Sequence, residues 1–232
     1  MRYWVVVPAA GSGRRFGGEL PKQYVPIAGR PAIQWSLQLF LADPRCQGIV
    51  VVVAADDSYW PAIAASVGSG RLTATGGGAE RCDSVLCGLA ALQSAADDDW
   101  VLVHDAARPC LSRAELDALL CAVATHPAGG LLALPIADTI KRADTAGQVE
   151  ATLPRERLWR ALTPQMFRRG PLTAALQAAR SSGLAPTDEA QALELQGASP
   201  RLVEGSMQNI KVTTQADLAF AEAVLRSRER QP

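Results

Sequence analysis

The sequence predicts an α/β protein built on a mostly parallel β-sheet with helices on both faces. Apolar runs rich in β-branched residues alternate with segments whose apolar residues recur at helical spacing. Residues 3–7 and 48–53 are apolar at almost every position, as expected for parallel strands covered on both faces. The chain has 232 residues, 48% of them hydrophobic, and lacks a linker rich in Pro, Gly or Ser. We therefore expect a single domain, residues 1–232.

The remaining elements follow in chain order. Helices are predicted from apolar residues at helical spacing or from capping residues, at 32–42, 59–67, 80–94, 112–125, 169–181, 187–195 and from 214 onward. Capping-box spacing marks two of these starts, at Ser112 with Glu115 and at Thr214 with Asp217. Further strands are predicted at 72–75, 100–103, 131–135, 201–204 and 209–212, and residues 158–162 return to the body of the domain.

A polar hairpin is predicted in the second half of the chain. Residues 138–142 and 149–152 are short, polar and strand-like, and Asp-Thr-Ala-Gly at 144–147 favours a tight turn between them. A hairpin this polar has no core to support it. We therefore expect residues 137–156 to protrude as a β-arm and to pack on a second subunit.

A glycine-containing loop, Pro-Ala-Ala-Gly-Ser-Gly-Arg-Arg-Phe at 8–16, follows the first strand. Gly11 and Gly13 can adopt positive φ, which would let backbone N–H groups approach a polyphosphate. The cations that follow, among them Arg15 and Lys22, add positive charge at the edge where open α/β sheets bind ligands. The loop therefore predicts a phosphate site. Its spacing fits neither the Walker loop nor the dinucleotide fingerprint.

The strand at 100–103 ends in a second group of polar residues on the same edge of the sheet. Asp105 is expected to contact a ribose or a metal ion, because a carboxylate beside a phosphate site serves one of these roles. We expect His104 to be a strand-end histidine with satisfied hydrogen bonds. A second glycine cluster, residues 76–78, precedes the helix at 80–94.

Composition excludes several other classes of protein. The 23 basic and 23 acidic residues give a formal net charge of zero, so no global field would attract nucleic acid or an anionic membrane. No run of 18 apolar residues and no apolar signal region is present, and we expect a cytoplasmic protein. The five cysteines form no C-x-x-C pair and are interpreted as reduced, small hydrophobic residues. With two histidines, a zinc site is not expected.

Taken together, the motifs resemble the 2-C-methyl-D-erythritol 4-phosphate cytidylyltransferases of the non-mevalonate isoprenoid pathway. The matching stretches occur in family order. They are PAAGSGRR at 8–15, PKQY at 21–24, GGGAERCDSV at 76–85, VHDAARP at 103–109, LTPQ at 162–165, TDEA at 187–190 and NIKV at 209–212.

The resemblance implies a Rossmann-like nucleotidyltransferase fold and a homodimer joined by the β-arm. It also implies CTP as donor, 2-C-methyl-D-erythritol 4-phosphate as acceptor, and Mg²⁺ as cofactor. The acceptor phosphate would attack the α-phosphorus of CTP, giving 4-diphosphocytidyl-2-C-methyl-D-erythritol and pyrophosphate. Because that phosphate is already an anion, no general base is required. Mg²⁺ would be held largely by the triphosphate.

Site residues follow from the resemblance, motif by motif. The catalytic residues would be Arg15, Lys22 and Lys211. Nucleotide-binding residues would be Ala9, Ala10, Gly11, Gly13, Gly77, Arg81, Ser84, Asp105 and Ala106, with Gly77 and Ser84 at the cytosine and Asp105 as metal ligand. Residues that bind the polyol phosphate would be Arg108, Thr139, Arg155, Thr163, Thr187 and Lys211, with Thr139 and Arg155 reaching across from the second subunit.

Two departures and two alternatives accompany this assignment. Ala79 and Gln208 stand where some members of the family have acidic residues. A cytidylyltransferase for another polyol phosphate, such as ribitol 5-phosphate, would share the nucleotide half of the site. A non-catalytic nucleotide-binding regulator is the alternative from another class, and it is disfavoured by the presence of Arg15, Lys22 and Lys211.

Overall fold

The structure is a computed structural model and describes residues 1–11 and 20–230. The strands in this part of the chain are β1 (Tyr3–Pro8), β2 (Pro26–Ile27), β3 (Arg30–Pro31), β4 (Cys46–Val53), β5 (Leu72–Gly76), β6 (Trp100–Val103), β7 (Gly130–Pro135), β8 (Ile140–Ala143), β9 (Val149–Leu153), β10 (Trp159–Arg168) and β11 (Arg201–Glu204). The helices are α1 (Ala32–Leu41), α2 (Trp60–Val67), α3 (Arg81–Ala91), α4 (Arg113–Val123), α5 (Arg169–Ser181), α6 (Glu189–Glu194) and α7 (Gln215–Glu229).

Seven of the eleven described strands form one large sheet with the order β11-β7-β10-β6-β1-β4-β5. Strand β6 lies at its centre, and its neighbour β1 pairs in parallel with both β4 and β6. Strand β10 runs antiparallel to its neighbours β6 and β7, while the other pairs in this sheet are parallel. The predicted α/β fold with a mostly parallel sheet is confirmed.

Helices cover both faces of the sheet. Successive residues of a strand point to opposite faces, so a single strand contributes to a core on each side. Val5 and Val7 of β1 pack in one core with Phe40 of α1. Val6 packs in a second core with Leu89 of α3. All five side chains are fully buried. The uninterrupted valines of β1 are thus explained by burial on both faces.

The polar segment in the second half of the chain is a hairpin, as predicted. Strands β8 and β9 pair with each other and form a two-stranded sheet of their own. None of residues 137–156 is buried. Its packing on a second subunit stays a prediction.

The predicted strand at 209–212 is wrong. The Ile210 N–H donates to the Gln208 carbonyl oxygen at 2.7 Å, and the Val212 N–H donates to the carbonyl oxygen of Ala107 at 2.8 Å, so this segment is held to the loop after β6. It resembled a strand because Ile210 and Val212 alternate with Lys211. The apolar pair instead packs in a third core beneath α7.

Two other boundaries lie three or more residues from the predicted ones. Strand β10 continues to Arg168, well beyond residue 162, although Pro164 cannot donate to a ladder. Its pairing with β7 shifts register between Ala161 and Gln165, so the irregularity accommodates the proline. Helix α3 ends at Ala91 rather than 94, where the N–H of Leu92 turns back to the carbonyl oxygen of Leu89.

Both predicted capping boxes are confirmed, at the starts of α4 and α7. All five cysteines are free thiols, and Cys46, Cys82 and Cys110 are buried. Among residues 1–11 and 20–230, no helix is both long enough and apolar enough to cross a bilayer.

Candidate active site

A cleft opens where β1 and β6 end, beside the first turn of α3. It brings together residues from motifs that are far apart in the chain. The lining residues are Pro8, Ala9, Ala10, Gly11, Lys22, Gln23, Gly78, Ala79, Glu80, Arg81, Ser84, Asp105, Ala106, Ala107 and Lys211. The predicted phosphate loop, the second glycine cluster and Asp105 therefore share one site, as the topology of the parallel strands requires.

Hydrogen bonds from Gln23, a residue to which no role was predicted, stabilise the turn after β1. Gln23 is buried, and its Nε2 donates to the carbonyl oxygens of Ala9 at 2.7 Å and Gly11 at 3.3 Å. The Ala9 N–H donates to the carbonyl oxygen of Val52 at 2.7 Å, which ties the turn to β4. The PKQY motif was the available signal for Gln23, which follows Lys22 in the short 3-10 turn Lys22–Tyr24.

Gly77 directly follows β5 and packs closely against Ala10 and Ser84, which line the cleft. A Cβ placed on Gly77 would lie 2.6 Å from the Cβ of Ala10 and 2.8 Å from the Oγ of Ser84. Such distances are far below van der Waals contact, so a side chain at position 77 would displace Ala10 or Ser84. The hydroxyl of Ser84 also accepts from the Gly78 N–H at 3.3 Å. The family resemblance implies that the cytosine lies beside Gly77 and Ser84.

Asp105 gathers the cations at the end of β6. Lys211 Nζ lies 2.8 Å from its Oδ2, and Nε of Arg108 lies 3.4 Å from the same oxygen. Nη2 of Arg81 lies 3.4 Å from Oδ1. Burial alone would raise the pKa of the Asp105 carboxyl, but the three cations together hold its pKa well below the usual range. Asp105 is therefore ionised, and it fixes the positions of three positive groups around the cleft.

Arg81 has a second and closer partner in Glu189, at the start of α6. Nη1 of Arg81 lies 2.5 Å from Oε1 of Glu189, and Nη2 lies 3.1 Å from Oε2. Burial disfavours the charge of Arg81, but Glu189 and Asp105 raise its pKa above the ordinary value. Burial raises the pKa of Glu189, and the charge of Arg81 opposes that shift. No role was predicted for Glu189, although it lies within the TDEA motif that matches the family.

His104 lies fully buried behind Asp105 and connects two parts of the site. Its Nε2 lies 3.1 Å from the carbonyl oxygen of Arg108, and its Nδ1 lies 3.0 Å from Oγ1 of Thr163. Because a carbonyl oxygen only accepts, Nε2 carries the proton and Nδ1 accepts from the Thr163 hydroxyl. The Thr163 oxygen accepts in turn from the Asp105 N–H at 3.1 Å. Burial lowers the pKa of His104 to about 4. The predicted satisfied strand-end histidine is confirmed.

The segment that carries Lys211 is fixed by Asn209. The side chain of Asn209 is fully buried, and its Nδ2 donates to the carbonyl oxygen of Thr163 at 2.9 Å. The main-chain carbonyl oxygen of Asn209 accepts from Nη1 of Arg108 at 2.7 Å. These contacts bring Arg108, Thr163 and Lys211 together, and the family resemblance implies that all three bind the polyol phosphate.

The other predicted residues are placed elsewhere or lie outside the described part of the chain. Thr139 precedes β8 and Arg155 follows β9, and both side chains are exposed. The Arg155 guanidinium donates to the Ala137 carbonyl oxygen. Thr187 is exposed just before α6, and its N–H donates to Oε1 of Gln191 at 2.6 Å. None of these three lines the cleft. Gly13 and Arg15 lie outside the described residues.

The fit of a metal ion depends on Asp105. In the described part of the chain, no group of three or more His, Cys, Asp or Glu side chains is placed to hold a metal ion. The oxygens of Asp105 already face three cations, and one carboxylate alone is a weak site for Mg²⁺. The residues fit an ion that enters on a triphosphate and takes one carboxylate ligand from the protein.

This combination of features defines a class of protein. Cations held by Asp105 beside the carboxyl ends of parallel strands are suited to stabilise phosphate groups, and Lys211 and Arg81 both line the cleft. The fold and the cleft are those of an α/β nucleotidyltransferase.

Comparison with known proteins identifies the particular family. The family model of IspD, 2-C-methyl-D-erythritol 4-phosphate cytidylyltransferase, matches residues 3–227, and the chain belongs to this family. A cytidylyltransferase of that name from Dechloromonas aromatica is 54% identical over 230 residues, covering 98% of this chain and 99% of that protein. One from Ectopseudomonas mendocina is 50% identical over 232 residues, covering 99% and 98%. The crystal structure of the Francisella tularensis enzyme superposes with a TM-score of 0.83 at 34% identity, covering 97% of this chain and 100% of that one.

Proposed function

We propose that this chain transfers the cytidylyl group of CTP to 2-C-methyl-D-erythritol 4-phosphate in isoprenoid precursor biosynthesis. The products are 4-diphosphocytidyl-2-C-methyl-D-erythritol and pyrophosphate. The observation that carries the proposal is the convergence of Lys211, Arg108 and Arg81 on Asp105, at the cleft beside the end of β1. Family membership supplies the identity of the two substrates.

The reaction joins a phosphate oxygen of the acceptor to the α-phosphorus of CTP and breaks the bond to the bridging oxygen of pyrophosphate. The attacking phosphate is an anion, so catalysis needs positioning and countercharge rather than a general base. Lys22 and Lys211 line the cleft and are proposed to stabilise the charge that develops on the α-phosphate, together with Arg15. Mg²⁺ carried by the triphosphate would supply further countercharge, with Asp105 as its protein ligand.

The two substrates occupy different parts of the proposed site. Residues 9–11 contact the nucleotide, Gly77 and Ser84 lie at the cytosine, and Asp105 with Ala106 lies at the ribose. Arg108, Thr163 and Lys211 hold the polyol phosphate, with Thr187 near the same region. Residues 137–156 join two subunits in a homodimer, and the exposed Thr139 and Arg155 complete the partner's acceptor site.

Pyrophosphate release tests the proposal and separates it from its alternatives. Each of the four ribonucleoside triphosphates is incubated with Mg²⁺ and either 2-C-methyl-D-erythritol 4-phosphate or ribitol 5-phosphate. We expect release with CTP and the methylerythritol phosphate. Release with ribitol 5-phosphate alone would transfer the assignment to that acceptor. No release in any combination, with CTP bound, would show a nucleotide-binding regulator.

A further inference from the structure

Glu189 is a buried charge that the proposed reaction does not use. Its side chain has no solvent exposure, and both carboxylate oxygens contact Arg81, which lies 108 positions away in the chain. Burying an ion pair gives little net stability, because removing both charges from water costs about as much as their attraction returns. The larger consequence of this pair is the geometry of Arg81.

Arg81 is shared unequally between two carboxylates. The contact of its Nη1 with Glu189 is 2.5 Å, whereas its Nη2 lies 3.4 Å from Oδ1 of Asp105. Among the described residues, the shortest ion pair of Asp105 is the one with Lys211, at 2.8 Å. Without Glu189, the guanidinium would keep Asp105 as its one ion-pair partner among the described residues. It would move onto Asp105 and compete there with Lys211 and Arg108.

We propose that Glu189 is a positioning residue of the nucleotide site. It acts through Arg81, by holding the guanidinium at the wall of the cleft and away from full contact with Asp105. The inference rests on the proposed function, because it takes the ligand of this cleft to be CTP. Glu189 itself does not line the cleft, so its effect on the nucleotide must pass through Arg81.

The test is a double-mutant cycle in which the Kd for CTP is measured by calorimetry on the full chain. Glu189→Gln keeps the shape of the side chain but replaces one acceptor with an NH₂ group that cannot accept from Arg81. We expect the Kd for CTP to rise about tenfold, in line with the loss of one charged hydrogen bond. In the Arg81→Met background, Glu189→Gln should change the Kd by less than about twofold, since independent effects add and shared ones do not.

Asp43→Asn is the matched control. Asp43 is likewise fully buried and paired with arginines, Arg45 and Arg113, both at 2.7 Å, but it does not line the cleft. This variant should lower the melting temperature and leave the Kd for CTP unchanged. It separates general destabilisation from an effect on the nucleotide site.

The outcomes are distinct. An unchanged Kd in Glu189→Gln, or an equal rise in the presence and absence of Arg81, would overturn the positioning role. If Glu189→Gln does not fold, Arg81→Met/Glu189→Met is compared with Arg81→Met, since an apolar pair can replace a buried ion pair. Equal Kd values support the inference and unequal values refute it. Failure of the wild-type protein to bind CTP would instead refute the proposed function.

Discussion

Acidification below pH 6.5 should destabilise this protein through His104. The buried imidazole has a pKa of about 4 in the folded chain, against an ordinary value of 6.5. Between these two values the unfolded chain binds a proton that the folded chain does not, so stability falls as the pH falls. At 1.36 kcal/mol for each pKa unit, the full effect is about 3 kcal/mol. It begins near pH 6.5 and is complete near pH 4.

The structural cause is the hydrogen-bond arrangement of the imidazole. Its Nδ1 accepts from Thr163, so a proton added there would face a hydroxyl group that has lost its own acceptor. The ring is also fully buried and packs edge-on against Phe40 at 5.3 Å. A charged imidazole would therefore lose water without gaining a negative partner in contact with it.

The assay is urea denaturation of the wild type and of His104→Gln, which does not titrate in this range, at several pH values from 7.5 to 4.5. From pH 7.5 to 4.5, the wild type should lose about 2.5 kcal/mol more free energy of unfolding than the variant. Imidazole NMR spectra should show the Nε2–H tautomer of His104 in the folded protein at pH 5.5. Parallel loss of stability in the two proteins would refute the buried neutral imidazole.

Three further predictions concern the proposed site. Lys22→Ala should lower kcat by roughly 10²–10³ with a much smaller effect on CTP binding, because a cation aimed at transition-state charge acts mainly on kcat. Arg155→Ala should raise the KM for the polyol phosphate and leave that for CTP little changed, and mixing it with Lys22→Ala subunits should restore activity through one intact composite site. Gly77→Ala should weaken CTP binding about tenfold, because its Cβ would lie 2.6 Å from the nearest side chain and overpacking costs about 1–3 kcal/mol.

Each of these predictions has its own control. Lys22→Arg should also be impaired, since a planar guanidinium does not place its charge where an ammonium does, and full turnover by Lys22→Ala would exclude the catalytic role. Failed complementation despite demonstrated subunit exchange would place Arg155 in the site of its own subunit. Gly76→Ala is the matched control for Gly77, because a Cβ on Gly76 meets nothing within 4 Å. Equal CTP binding by the two glycine variants would show that the close packing at Gly77 does not affect the nucleotide site.

Local patterns fixed most of the elements. Patterns within a few residues predict several elements, namely the valines of β1 and β4, the capping residues of α4 and α7, and the hairpin turn. Short-range patterns failed where a distant contact decided the outcome. The segment at 209–212 alternates like a strand, but its N–H groups are taken by a turn and by Ala107. Strand β10 contains a proline, yet two neighbouring strands hold it in the sheet.

The candidate site divides in the same way. The parallel topology placed the glycine loop and Asp105 at one edge of the sheet, because strands that run in the same direction end together. Lys211 was assigned to the same site by the family resemblance. The distribution of charge at that edge could not be inferred from the sequence. Arg81 contacts partners 24 and 108 positions away, and no spacing rule relates such distances. Which cation takes which carboxylate oxygen depends on differences of tenths of an ångström between packed elements, and only the tertiary structure sets these distances.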